Sequence, residues 1–188
     1  MSAVITLSDH DRELLRAAAH ASIEFGLAQR RPMDIAVHEY PEALRAEHAS
    51  FVTLHHAGEL LGCIGTLRPR RPLVADVVHN AYHAAFSDPR FAPLSAGQLP
   101  GLELHISVLS PLEPLAIRSE DDLLAQLRPG LDGLVLEDGA QSATFLPAMW
   151  PRLQTPRTFV RVLKEKAELP ADHWSPTIRA YRYTVDEF

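Results

Sequence analysis

The chain has 188 residues, with 18 Lys and Arg against 24 Asp and Glu, a formal net charge of −6 and a pI near 5.9. Hydrophobic residues make up 46% and charged residues 22%, enough apolar material for a core without disulfides or a structural metal. The acidic balance argues against nucleic acid as a partner, which normally requires a basic domain, and no apolar run nears the ~18 residues of a membrane-spanning helix.

Ser8 reads as an N-cap with Asp9, Asp11 and Glu13 in the first turn. Behind it Leu14, Ala18, Ala21 and Phe25 recur at helical spacing, which predicts a helix over about 9–28. Residues 32–49 read as a wrapping loop with one helical turn near "EALRAE". "SFVTLHHAGELLGCIGTL" predicts a hairpin turning at Ala57-Gly58. In "LVADVVHNAYHAAF" a second helix buries Val74, Val77, Val78, Ala81 and Ala85 and carries a polar stripe of Asp76, Asn80 and His83. "LELHISVL" (102–109) alternates as a strand, with Glu103, His105 and Ser107 on one face. "SPLEPL" breaks it, and a short helix follows near 119–127. A second hairpin is expected in "GLVLEDGAQSATFL", with Asp138-Gly139 in its turn. Then comes an amphipathic helix in "TPRTFVRVLKEKAEL", with Phe159, Val160, Leu163 and Ala167 inside. "IRAYRYTV" alternates like an edge or closing strand. The class is α+β with mostly antiparallel sheet and packed helices, in one compact unit over residues 1–188. Each hairpin is followed by a helix and a strand, which hints at a structural duplication.

The one cysteine, Cys63, cannot form an internal disulfide. The N-terminal "MSAVITLSDHDRELL" lacks the basic stretch and apolar run of a signal peptide. Together these predict a soluble, cytoplasmic protein. There is no Walker A loop, Rossmann glycine fingerprint, HExxH, GxSxG or CxxxCxxC. The chain is therefore not itself a radical-SAM enzyme, and no cofactor or metal is expected from its motifs. His79 and His83 stand at i, i+4, a spacing that can present two imidazoles to a metal, but no third ligand is visible and a solvated helix face explains the pair.

Six blocks, "LLGCIGTL", "NAYHAAFSDPRF", "LELHISVLSPLEPL", "GLDGLVLEDG", "SATFLPAMW" and "YRYTV", resemble the AMMECR domain family, known in prokaryotes as AmmeMemoRadiSam system protein A. The resemblance runs in order over nearly the whole chain. It implies an AMMECR-type unit with two unequal lobes, and a shared pathway with a Memo-like protein and a radical-SAM protein. It implies no reaction. In one place the chain departs from the family: Leu61 stands where the family block usually has arginine, two residues before Cys63. On a regular strand residues 61, 63 and 65 share a face, so an arginine there would favour the thiolate and a leucine would not.

Cys63 reads either as a catalytic nucleophile or as a small buried hydrophobe. Its flanking glycines, Gly62 and Gly65, mark a bulge or a close approach by a ligand or another backbone. Asp88 and Arg90 pair to fix their loop, or Arg90 binds a ligand; Asn80 is placed to bond to the Cys63 loop or to a ligand. Glu103 on the polar strand face and Thr144 on the second hairpin complete the expected ligand-binding set of Gly62, Gly65, Asn80, Arg90, Glu103 and Thr144, gathered in a cleft between lobes. The leading expectation is a protein that binds a small molecule or peptide there. The alternatives are a non-catalytic interaction module, using the Arg68–Arg71 loop or an apolar patch, and a Cys63-dependent transferase or hydrolase.

Overall fold

The computed structural model describes residues 7–188. The signal-peptide expectation rests partly on residues 1–6, which lie outside the described residues. Among the described residues the chain divides into two compact units: residues 7–109 together with 186–188, and residues 110–185. Among the described residues no helix is long and apolar enough to cross a membrane.

The first unit begins with α1 (Asp9–Gln29), opened by a capping box in which the Ser8 hydroxyl accepts from the Asp11 N–H and the Asp11 carboxylate accepts from the Ser8 N–H. Its buried stripe is Leu15, Ala18, Ala19, Ser22, Ile23 and Gly26. That is turned about one residue from the predicted 14-18-21-25 stripe, and Ala21 is exposed. Small residues decide the rotation. They let α1 lie close against α3 (Leu73–Phe86), where the Ser22 hydroxyl donates to the Val78 carbonyl at 2.7 Å. A single turn, α2 (Glu42–Arg45), buries Leu44. The hairpin of β1 (Ala49–His56) and β2 (Glu59–Gly65) turns at Ala57 and Gly58, with φ of 52° and 81°. Two left-handed residues are what a tight hairpin with right-twisted strands requires. β3 (Leu102–Leu109) and β8 (Val185–Glu187) complete a sheet ordered β2-β1-β3-β8. Val52, Leu54, Ile106 and Val108 are fully buried in an apolar cluster with residues of α1 and α3.

The second unit holds β4 (Glu113–Pro114), α4 (Glu120–Gln126), the hairpin of β5 (Gly133–Asp138) and β6 (Gln141–Phe145), the short α5 (Trp150–Leu153), α6 (Pro156–Lys166) and β7 (Arg179–Tyr183). Its sheet is ordered β4-β7-β5-β6. Trp150 stacks on Phe159 with ring centroids 4.0 Å apart, and its indole N–H donates to the Asp132 carbonyl at 2.7 Å. Two readings need correction here. Asp138 pairs with Gln141, so the turn is Gly139-Ala140, with Gly139 at φ 61° in the first turn position that suits glycine. β7 is not an edge strand, because part of the "SPLEPL" segment forms β4 and pairs with it. Pro114 is tolerated because β4 is itself an edge.

The duplication expected from element order is present in the topology. With the short α2, β4, α5 and β8 set aside, each unit runs helix, hairpin, helix, strand. In each sheet the second hairpin strand lies outside the first, which pairs with the strand after the helix: β2-β1-β3 in one unit and β6-β5-β7 in the other.

Candidate functional site

Cys63 lies on β2, the edge of the first sheet, directly opposite Thr53, which in turn lies opposite His105 on β3. Residues opposite one another in a sheet share a face. Cys63, Thr53 and His105 thus form one row on the face away from α1 and α3. The Thr53 hydroxyl donates to the Cys63 sulfur at 3.2 Å. In the adjoining row His55 pairs with Glu103, and the His55 and His105 rings meet edge-on with centroids 5.6 Å apart. Cys63, Thr53 and His55 are half-buried, while His105 and Glu103 are exposed.

An edge strand leaves peptide groups unpaired on its outer side. At Cys63 the loop after α3 takes up both. The Asp88 carboxylate accepts the Cys63 N–H at 2.9 Å, and the Arg90 guanidinium donates to the Cys63 carbonyl at 3.1 Å. The same carboxylate accepts from Arg90 Nη2 at 2.6 Å, Nε at 2.9 Å and the backbone N–H at 3.1 Å. The Asp88 side chain is 2% exposed and that of Arg90 is 56% exposed. The Arg90 guanidinium, helped by the two peptide N–H groups and opposed by burial, holds the Asp88 carboxyl far below the usual carboxylate range. Asp88 in turn raises the pKa of Arg90.

This geometry corrects the argument from Leu61. The register slips between Leu54/Gly62 and His55/Leu60, which leaves Leu61 as the extra residue of a β-bulge. Leu61 packs against the apolar cluster beneath the sheet and does not share the face of Cys63. The cation beside Cys63 is Arg90, from the "SDPRF" loop. In the Arg68–Arg71 loop, Arg71 reaches the buried Asp76 at 3.7 Å.

Both glycines beside Cys63 are close-approach positions, and the approaching groups belong to the chain. A Cβ on Gly62 would fall 2.0 Å from the Ala84 carbonyl oxygen of α3, and one on Gly65 would fall 2.3 Å from the Phe51 ring. Asn80 is 1% exposed; its amide donates to the Ser50 carbonyl at 3.1 Å, to the Ser50 hydroxyl at 3.0 Å and to Asp76 at 2.9 Å. Its partners are therefore β1 and its own helix rather than the Cys63 loop, and the expected polar stripe of α3 is buried at Asp76 and Asn80. Burial raises the Asp76 pKa against the hydrogen bonds from Ser50 and Asn80.

Thr144 belongs to the second unit, where its hydroxyl donates to the Leu134 carbonyl at 2.9 Å and shares a hydrogen bond with the buried Tyr183 hydroxyl at 2.8 Å. Asp138 is a hydrogen-bond hub that sequence reasoning took for a turn residue. It accepts from Thr177 at 2.6 Å, Ser175 at 2.8 Å and His173 at 2.6 Å, which pushes its pKa down to about 2. Thr53 was also missed; its signal is register, invisible until the hairpin is paired. The His79 and His83 rings stand tilted with centroids 4.2 Å apart, and burial, then Arg71 and His83, lower His79 to about 4, so it is neutral at pH 7. Among the described residues no group of three or more His, Cys, Asp or Glu gathers as a metal site.

Relatives share this sequence over most of its length. A protein of Methanothermobacter thermautotrophicus is 35% identical over 156 residues, covering 80% of this chain and 79% of the relative. A protein of Methanocaldococcus jannaschii is 31% identical over 180 residues, covering 90% and 85%. The crystal structure of an uncharacterised protein from Pyrococcus horikoshii superposes with a TM-score of 0.88 at 28% identity, over 96% of this chain and 92% of that one. Residues 16–188 match the AMMECR1 family, and the chain belongs to it.

Proposed function

We propose that this chain is a cytoplasmic protein that binds a small molecule or peptide on the polar face of its first sheet, acting with Memo-like and radical-SAM proteins. The observation that supports the binding part is the Asp88–Arg90 clamp on the Cys63 peptide. It fixes a half-exposed guanidinium beside a thiol and a hydroxyl, with two imidazoles and Glu103 on the same face. Gly62, Gly65 and Asn80 serve this reading as supports that set the strand's height and register. The partner part rests on the family resemblance.

A fragment library screened by protein-observed NMR tests the binding part. Fragments that shift Thr53, Cys63 and His105, and that bind at least fivefold more weakly to the Thr53→Val and His105→Ala variants, are expected. A screen in which no fragment moves that face would sink the reading. Co-expression with a Memo-like and a radical-SAM protein tests the partners; failure of both to co-purify at matched expression removes that part.

A second reading takes Cys63 as the nucleophile of a transferase or hydrolase, favoured by the Arg90 guanidinium held at the Cys63 carbonyl. The pH dependence of Cys63 alkylation separates the two. An apparent pKa at or above the free thiol's ~8.5 ends the nucleophile reading and leaves the binding reading intact.

A further inference from the structure

A cleft of about 330 Å³ lies on the helix side of the first unit, where the C-terminal turns of α1 and α3 meet the 93–94 segment. Aromatic and aliphatic side chains form about half of its lining. Gly26 is the floor: a Cβ there would fall 2.5 Å from a Phe86 ring carbon and 2.9 Å from one of Tyr82, so the absence of a side chain lets both rings lie on the α1 backbone. The Tyr82 and Phe86 rings stand tilted with centroids 5.1 Å apart. Leu94 is 6% exposed, and its N–H donates to the Ala85 carbonyl at 2.7 Å, which pins the opposite wall to α3. Leu27 and Pro93 extend the apolar lining.

Two polar groups line this cleft and are committed to nothing else among the described residues. Arg30 takes a left-handed conformation (φ 55°) so that its N–H can close α1 on the Gly26 carbonyl at 2.9 Å. Its exposed guanidinium has no ion pair or side-chain hydrogen bond among them, and neither does the Tyr82 hydroxyl have a hydrogen bond. An aromatic slot with one cation and one phenol donor is complementary to a single negative charge on an apolar body. The single guanidinium matches a carboxylate, whose two oxygens a guanidinium fork engages together.

We propose that this cleft binds a small organic acid, with an aromatic or branched apolar tail against Tyr82, Phe86 and Leu94 and its carboxylate on Arg30. The site is independent of the Cys63 face, and either can fail without the other.

The test titrates 3-phenylpropionate into the isotopically labelled chain and follows backbone amides by NMR, with the uncharged 3-phenylpropanol alongside. Saturable shifts centred on Leu27, Tyr82, Phe86 and Leu94 are expected, with half-saturation in the low millimolar range, about what ligand efficiency allows so small a probe. Arg30→Gln weakens the acid at least fivefold, Tyr82→Phe two- to threefold, and the alcohol binds the wild type at least fivefold more weakly than the acid. Arg30 is exposed, so Arg30→Gln keeps the wild-type melting temperature; the alcohol arm needs no variant. No saturable shift up to 20 mM, shifts centred elsewhere, or equal binding of acid and alcohol would overturn the proposal.

Discussion

Replacing Asp88 by alanine removes the carboxylate that accepts the Cys63 N–H and holds Arg90 against the edge of the first sheet. Two losses follow. The Cys63 N–H loses a 2.9 Å charge-assisted acceptor on an edge with no strand to replace it. A hydrogen bond to a charged group is worth ~1.5–3 kcal/mol. The ion pair with Arg90 is discounted because that side chain is 56% exposed; solvent screening leaves it about 1 kcal/mol at most. The sum is ~2–4 kcal/mol, or a fall of ~10–25 °C in the melting temperature of a unit this size. Native-state hydrogen exchange gives the local readout. The Cys63 amide should exchange ~30- to 1,000-fold faster in Asp88→Ala, since each 1.4 kcal/mol is tenfold. Asp88→Asn keeps an acceptor and should lose about half as much. A double-mutant cycle with Arg90→Ala should give a coupling of about 1 kcal/mol. A change under ~0.5 kcal/mol with Cys63 exchange unaltered would refute the clamp.

Gly62→Ala places a methyl 2.0 Å from a backbone oxygen of α3, which cannot swing aside like a side chain. It should cost at least ~2 kcal/mol in urea denaturation, as overpacking does; a loss within experimental error would mean the helix is free to shift. Asp138 has a folded pKa depressed to about 2 by Thr177, His173 and Ser175. Its contribution is present above the unfolded value of ~3.9 and lost as pH falls toward 2. The wild type should therefore lose more stability than Asp138→Asn between pH 4 and pH 2, and parallel acid limbs for the two proteins would contradict the hub.

Local chemistry determined most of the elements. The Ser8 cap, the Ala57-Gly58 turn, the period-two alternation of 102–109 and the apolar stripe of α3 depend on residues within a few positions of each other, so they are legible in sequence. So is the repeated helix-hairpin-helix-strand order, although only strand pairing shows that the two sheets share one topology. Family membership was legible because six ordered blocks survive, even with Leu61 in place of arginine.

What the tertiary structure decided was register and reach. One skipped residue at Leu61 rotates that side chain from the face of Cys63 into the apolar cluster, and no local signal marks the slip. The cation beside Cys63 comes from Arg90, 27 residues later in the chain and adjacent only once α3 has folded back over the sheet. Gly62 and Asn80 look like ligand-facing residues in a string of letters. In the fold they meet the Ala84 carbonyl and Ser50, because a helix packed against a strand needs one place without a side chain and a partner for each buried polar group. Sequence specified the elements through short-range propensities; which polar groups stay uncommitted is a long-range property, settled only when every other donor and acceptor has found its partner.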